Sequence, residues 1–258
     1  MIGLEPFTQE IIWMALPAIL LAALVHGTFG IGFPMIATPL LALYTDVLTA
    51  VSITLLPTMS VNLAMIARGN KQQFRDTYKH LRILPFIITG TVIGTFLLLW
   101  LDPRPFFLLL AAAILLYLKQ DKLEKIDFGW VQQRTNLAYV IFGLSAGLMA
   151  GTVNVMVPVL IILFIELRLA AAPMILLFNI SFFTGKLTQS LILSQQSLND
   201  IESILPASLW LIPVALVALY LGTRLRTFIN EGRYLKVLRG VLWAMAGILI
   251  ARFIVAYL

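Results

Sequence analysis

The stretch HGTFGIGFP, residues 26–34, interrupts a long apolar run with three glycines and a proline. A similar interruption, GTVNVMVP, occupies residues 151–158 in the other half of the chain. An alignment of the two segments that pairs Gly32 with Gly151 also pairs Pro39 with Pro158, because the residues of both pairs are 119 positions apart. Backbone that is opened inside a bilayer costs several kcal/mol per unsatisfied polar group unless it is buried in protein or lines a wet cavity. Paired interruptions of this kind are typical of transporter binding sites.

The composition predicts an all-α integral membrane protein. The 258 residues are 60% hydrophobic and only 12% charged, whereas soluble domains carry about 25% charged residues. There are no cysteines, which excludes thiolate metal sites, and no nucleotide-binding loop or metal-ligand spacing is visible. We therefore expect no cofactor, no metal ion and no nucleic-acid partner. The net charge of +6 is explained by basic loops on the cytoplasmic side of a membrane.

The apolar segments predict a polytopic helical bundle of two repeats in one domain. Four segments are too short for a crossing of about 17–25 residues, and they pair around the two interruptions. We interpret each pair as a broken, re-entrant element that is followed by three transmembrane helices. Repeat 1 then covers residues 1–120, the linker 121–133 and repeat 2 134–258. The four short segments lie near residues 11–25, 34–44, 136–149 and 152–165.

The distribution of charge predicts the orientation of the bundle. The linkers at 68–82 and 222–239 are rich in Lys and Arg, and the linker at 194–202 has none. The first two should be cytoplasmic and the third external. Each broken element must then return to the side from which it came. The two repeats are consequently inverted, both termini lie outside, and the protein is expected in the cell membrane, which is the inner membrane in a bacterium.

The interruptions themselves are the predicted binding site. Glycine permits positive φ, and Pro34 suits the first turn of a new helix. Two helix N-termini that meet inside the protein would direct free N–H groups and positive dipole ends at a small anion. An alternative explanation is that Gly143, Gly147 and Gly151, spaced four apart, only permit close helix packing. The residues predicted for this site are Gly30, Gly32, Gly151, Thr152 and Asn154.

Three further polar residues in apolar segments are candidates for anion contacts. His26 either hydrogen-bonds the anion or carries a coupling proton, or it is a neutral histidine satisfied by a backbone carbonyl. Lys186 is either the counter-charge of the anion or a side chain that snorkels to the interface. Asn179 shares a helical face with Lys186 and is included in the site.

Other polar residues receive structural interpretations. His80 lies in a basic loop and is expected to be solvated. Glu166 with Arg168, and Asp102 with Arg104, are expected to form interfacial ion pairs at helix ends.

The blocks HGTFGIGFPMIATPLLAL (residues 26–43) and AGLMAGTVNVMVPVLI (residues 146–161) resemble the two signature blocks of the TauE/SafE family. This family is also called the sulfite exporter or toluenesulfonate uptake permease family. The resemblance implies transport of small, often sulfur-containing anions: sulfite, sulfoacetate and other organosulfonates.

The sequence thus predicts a secondary transporter that moves sulfite or an organosulfonate by alternating access within membrane lipid. Coupling to a proton or ion stays open, since no Asp or Glu lies deep in a span. The alternatives are an anion channel and an intramembrane enzyme acting on lipid. The enzyme would need a nucleophile or metal set within the spans, where only His26 qualifies, and we predict no catalytic residues.

Overall fold

The structure is a computed structural model that describes residues 6–119, 129–195, 204–227 and 231–255. The regular elements within these ranges are all helical. Seven segments in the described part of the chain are long and apolar enough to cross a membrane, as the hydropathy predicts. The protein is therefore a multi-pass membrane protein of the all-α class.

The two halves contain similar series of helices. The first half has α1 Pro6–Phe29, α2 Phe33–Leu41, α3 Val47–Ala67, α4 Lys71–Tyr78, α5 Leu84–Trp100 and α6 Arg104–Leu118. After a single turn at Trp130–Gln133, the second half has α7 Thr135–Val153, α8 Val157–Glu166, α9 Ala171–Leu193, α10 Leu211–Leu225 and α11 Glu231–Val255.

The broken elements differ from the predicted pairs of short segments. Helices α1 and α7 have 24 and 19 residues, whereas α2 and α8 have only 9 and 10. Each long helix continues until the chain reaches a left-handed residue, Gly30 with φ 82° or Asn154 with φ 62°. Each broken element is thus a full-length helix followed by a short one. The prediction of two short halves was wrong because the glycines at 27 and 151 do not interrupt their helices.

The register between the two halves is also corrected. Pro34 and Pro158 each occupy the second position of a short helix, and they are 124 residues apart. The same offset sets Gly30 on Asn154, so that the two left-handed residues coincide. The predicted offset of 119 aligned Pro158 with Pro39, which lies inside α2. Because apolar segments with more than one proline fit several registers, the sequence pattern did not discriminate between them.

The second broken element returns to the side where it began. Gln132, just before α7, donates a hydrogen bond from Nε2 to the carbonyl oxygen of Glu166 at the end of α8, at 3.0 Å. Helices α1 and α2 of the first element likewise pack side by side rather than end to end. Both observations agree with the expected re-entrant course.

Helix packing follows one pattern in both halves. Helix α1 packs on α10 as α7 packs on α5, while α3 pairs with α9 and α6 with α11. Gly69, just after α3, lies beside Leu176 near the start of α9, so these two helices run in opposite directions. Exchanging equivalent helices of the two halves turns the α1–α10 pair into the α7–α5 pair and leaves the α3–α9 and α6–α11 pairs unchanged. This is the pattern that an inverted repeat would produce.

Glycines permit the two closest helix crossings. A Cβ on Gly147 would lie 2.2 Å from the carbonyl oxygen of Ile87, and one on Gly151 would lie 2.5 Å from that of Thr91. At the crossing of α1 and α10, a Cβ on Gly222 would lie 2.2 Å from the carbonyl oxygen of Leu24. Small residues let helix backbones approach in lipid, where packing replaces the hydrophobic effect. The packing explanation of Gly147 and Gly151 is therefore confirmed.

Candidate functional site

The first break lies between α1 and α2. The chain leaves α1 through Gly30, whose N–H donates to the carbonyl oxygen of His26 at 2.6 Å. It enters α2 through Gly32, whose φ of 106° requires glycine. The N–H of Phe33, the first residue of α2, donates to Nδ1 of His26 at 3.2 Å. His26 thus supplies the partner for one of the free amides at the start of α2.

These hydrogen bonds determine the form of His26. Because Nδ1 accepts from an amide, the proton of the neutral ring is on Nε2, which lies 3.1 Å from Oδ1 of Asn179. Asn179 in turn donates from Nδ2 to the carbonyl oxygen of Gly30 at 2.8 Å. His26 is therefore a neutral histidine with both nitrogens bonded, although its partners are an amide N–H and a side-chain amide rather than the expected carbonyl. His26 and Asn179 together fix the first break.

The second break lies at Asn154–Met156. Asn154 donates from Nδ2 to the hydroxyls of Thr38 at 2.8 Å and Thr54 at 3.0 Å. Thr38 belongs to α2 and Thr54 to α3, so the second break is in direct contact with the first broken element. Within the described residues, Oδ1 of Asn154 has no hydrogen-bond partner. The predicted meeting of the two broken elements is thus observed.

Gly151 and Thr152 were predicted to begin a helix, but the structure places them at the end of one. Both lie in the last turn of α7, where the peptide N–H groups belong to the helix, and the Thr152 hydroxyl donates to the Leu148 carbonyl oxygen at 2.8 Å. The short helix begins only at Val157. The prediction placed the helix start too early because glycine and threonine were taken as breakers, while the left-handed turn is made by Asn154.

Lys186 is fully buried, so the snorkelling interpretation is wrong. Its Nζ donates to the carbonyl oxygen of Ala150 at 3.2 Å and to Oε1 of Gln189. Gln189 donates from Nε2 to the carbonyl oxygen of Gly151 at 2.8 Å. The ammonium therefore lies at the C-terminal end of α7, where the helix dipole favours a cation.

Among the described residues, no carboxylate forms an ion pair with Lys186. Asp102–Arg104 is the one ion pair found in the described ranges, and it confirms the predicted pair at the start of α6. A cation buried with neutral partners alone is costly, and a bound anion would remove part of that cost. Lys186 and Asn179 are seven residues apart on α9, which is about 10 Å along a helix axis. One helix thus contacts both breaks.

Two cavities adjoin the breaks. An apolar cavity of about 220 Å³ is lined by both Gly32 and Val157, so the starts of the two short helices share it. A second cavity of about 280 Å³ is lined by Gly27 and Gly30 of the first break and by Arg68 and Arg226. The backbone of the first break therefore faces a chamber with two guanidinium groups.

Sequence reasoning missed several residues of this site. Arg68 and Arg226 were read only as indicators of orientation, although they line the cavity at the first break. Thr38 and Thr54 lie in apolar helices, and no spacing rule connects them with Asn154; their contact with its side chain is visible only in three dimensions. Gln189 follows Lys186 by three residues on α9, so helical spacing does connect these two residues.

Two interpretations outside the site are corrected. His80 is not solvated: it is 3% exposed, and Nδ1 lies 2.7 Å from the hydroxyl of Tyr139. Burial, with a smaller contribution from the charge of Lys79, lowers the pKa of His80 to about 4. The predicted ion pair between Glu166 and Arg168 is not found within the described residues. Arg168 adopts a left-handed φ of 54° in the turn before α9.

The buried His80 predicts acid sensitivity. The unfolded chain takes up a proton on His80 near its ordinary pKa of 6.5, whereas the folded chain does so only near 4. The free energy of unfolding should therefore fall as the pH drops from about 6.5 to about 4. Below about pH 4, His80 is protonated in both states and causes no further loss. Thermal unfolding of wild type and His80→Gln in detergent measures the effect. Between about pH 6.5 and about pH 4, we expect the wild type to lose more stability than His80→Gln. If the difference in melting temperature between the two proteins does not change with pH, the buried His80 is not the cause of the acid sensitivity.

The fold and the site define a multi-pass helical membrane protein in which two broken helices meet beside a buried, unbalanced cation, an arrangement found in transporters. The family described as sulfite exporter TauE/SafE matches residues 15–250, nearly the whole chain. The chain belongs to this family, whose members are membrane transporters of the sulfite-exporter type. No curated protein and no solved structure gave a match.

Proposed function

We propose that the protein is a secondary transporter that carries sulfite or an organosulfonate such as sulfoacetate, and that it is not an enzyme. Its two halves, residues 1–120 and 134–258, would act as inverted repeats around the two breaks and expose the site alternately to each side. The family and the contact between the broken elements support this proposal.

The observation that carries the proposal is the cavity lined by Arg68, Arg226 and Gly30. Guanidinium groups match oxyanions geometrically and stay charged at any physiological pH. The left-handed Gly30 also lines this cavity, and the side chain of Ile175 packs against it where a Cβ would stand. The chamber is thus suited to admit a small oxyanion to the first break.

Beyond this chamber, the anion would be held by the two helix starts and by Lys186. Gly32 immediately precedes α2, and Val157 is the first residue of α8. Both residues line the apolar cavity. Apolar walls strengthen the attraction between an anion and the helix dipoles because they exclude water. Gly151 and Thr152 would position Lys186 and Gln189, rather than donate backbone N–H groups.

The orientation of the bundle in the membrane is part of the proposal. Arg68, Arg168 and Arg226 lie at the end that we assign to the cytoplasm. At the opposite end, Arg252 donates to the carbonyl oxygens of Ala42 at 2.6 Å and Thr45 at 3.1 Å. Both termini would then be external, in the cell membrane.

Uptake of labelled sulfite and sulfonates into proteoliposomes tests the proposal. We expect saturable uptake that is accelerated by unlabelled anion inside the vesicles, which a channel would not show. Arg68→Gln and Arg226→Gln should each reduce the initial rate about tenfold, since one guanidinium contact to an anion contributes roughly 1.5 kcal/mol.

Arg82→Gln is the matched control, because Arg82 is an exposed cation at the same end that does not line the cavity. Its rate should stay at that of the wild type. Absence of flux for every anion with the wild-type protein would overturn the proposed function. Equal losses in all three variants would assign the effect to surface charge instead of the cavity.

A further inference from the structure

Two hydroxyl groups in the core stand apart from the other serines and threonines of their helices. Thr91 on α5 and Ser181 on α9 are fully buried, and their hydroxyls have no hydrogen-bond partner among the described residues. Thr95, the third buried hydroxyl described on these two helices, instead donates to a carbonyl oxygen of its own helix, that of Thr91, at 2.8 Å. An unpaired buried hydroxyl is destabilising, so a place where two persist requires an explanation.

Thr91 lies close to the side chain of Met156, the residue that precedes α8, and Ser181 lies one helical turn of α9 from this contact. Thr91 Oγ1 and Met156 Cε lie 3.3 Å and 3.4 Å from the position that a Cβ would take on Gly185. Ser181 precedes Gly185 by four residues on α9 and therefore lies on the same face of that helix. Met156 is the residue from which α8 begins. The two unpaired hydroxyls thus lie near the same part of α9, and that of Thr91 adjoins the side chain that precedes α8.

The electrostatics of this region favour an anion. Helix α8 carries no side-chain cap on its first turn in the described structure, and Pro158 leaves that turn with few N–H donors of its own. The positive end of its dipole is therefore exposed to whatever lies in front of it. Lys186, the residue after Gly185, is buried and bonds only to neutral acceptors. The helix dipole, the two hydroxyls and Lys186 can each attract an anion or donate a hydrogen bond to it.

We propose that Thr91 and Ser181 donate hydrogen bonds to the oxygen atoms of the transported oxyanion, in front of α8 and beside Lys186. This assignment rests on the proposed transport function and extends the predicted site to two residues on α5 and α9. The side chain of Met156 fills the space beside Gly185 and must turn aside as the anion enters, which its three rotatable bonds allow. Gly185 keeps that space free of a Cβ.

The test combines sulfite binding with thermal unfolding of the purified protein in detergent. Thr91→Val and Ser181→Ala remove the unpaired hydroxyls. We expect each to weaken sulfite affinity about tenfold, because a hydrogen bond to a charged group is lost. The melting temperature without sulfite should stay the same or rise, because a buried unpaired polar group is removed.

Thr95→Val and Ser52→Ala are the matched controls, since both hydroxyls are buried but satisfied, that of Ser52 by the carbonyl oxygen of Leu48 at 2.8 Å. They should lower the melting temperature and leave the affinity unchanged. Thr91→Ser keeps the hydroxyl and should keep wild-type affinity.

Three outcomes would overturn this proposal. Wild-type affinity in both Thr91→Val and Ser181→Ala would remove these residues from the site while leaving the proposed function intact. A lower melting temperature in these two variants, with affinity kept, would show that the hydroxyls only stabilise the fold. No binding and no flux with the wild type would overturn this assignment together with the proposed function.

Discussion

Replacement of Lys186 by methionine is expected to reduce anion transport more than about 100-fold while the protein stays folded. Lys186 is buried at the end of α7, without a carboxylate partner in the described structure. Loss of this buried ammonium removes a charge–charge attraction that is strong away from water. Uptake of labelled sulfite into proteoliposomes measures the loss.

The stability of the same variant separates transport from folding. Methionine fills a similar volume and removes an unbalanced buried charge, which is often neutral or stabilising by about 1–4 kcal/mol. Against this, the carbonyl oxygen of Ala150 loses a donor. We expect a melting temperature close to that of the wild type. Gln189→Leu is the control, because it removes the neutral partner and keeps the cation, and it should transport better than Lys186→Met. Undiminished flux in Lys186→Met would remove this residue from the site.

Gly147→Ala is expected to cause a large loss of stability, as are Gly27→Ala and Gly222→Ala at the other close helix crossing. Its Cβ would lie 2.2 Å from the carbonyl oxygen of Ile87, so α5 and α7 must separate. Overpacking of this kind costs about 3 kcal/mol when backbone has to move. Thermal unfolding in detergent measures the loss.

Gly247→Ala is the matched control, because a Cβ there meets nothing within 4 Å in the described residues. It should raise stability by up to about 1 kcal/mol, since alanine has the higher helix propensity. Equal melting temperatures for the two variants would contradict the close crossing of α5 and α7. That crossing matters for function because Gly151 and Thr91 belong to it and adjoin the second break.

The membrane class and the existence of two breaks were predictable from sequence. Hydropathy and helix breakers are local properties, and they identified residues 26–34 and the region before Pro158 correctly. The register was not predictable, because the decisive feature is the left-handed backbone of Gly30 and Asn154. Asparagine adopts this conformation more often than other non-glycine residues, yet nothing in the pattern distinguished it from Gly151 as the breaking residue.

The site was predictable only in part. His26, Asn154, Asn179 and Lys186 stood out as polar residues in apolar sequence, and all four lie at the breaks. Several of their partners come from other segments: Lys186 donates to Ala150 of α7, and Asn154 donates to Thr38 of α2 and Thr54 of α3. Thr91 and Thr95 are indistinguishable in sequence, and only the structure shows that one hydroxyl is paired and the other is not.

The location of a bound anion tests the central claim most directly. Selenite is a close chemical analogue of sulfite and scatters anomalously, so crystals of the protein grown with selenite would mark the site. We predict an anomalous peak in front of the start of α8, within hydrogen-bonding distance of Thr91, Ser181 or Lys186, or at Gly30 and Gly32 of the first break. A peak found only on the outer surface of the bundle, remote from both breaks, would contradict the account.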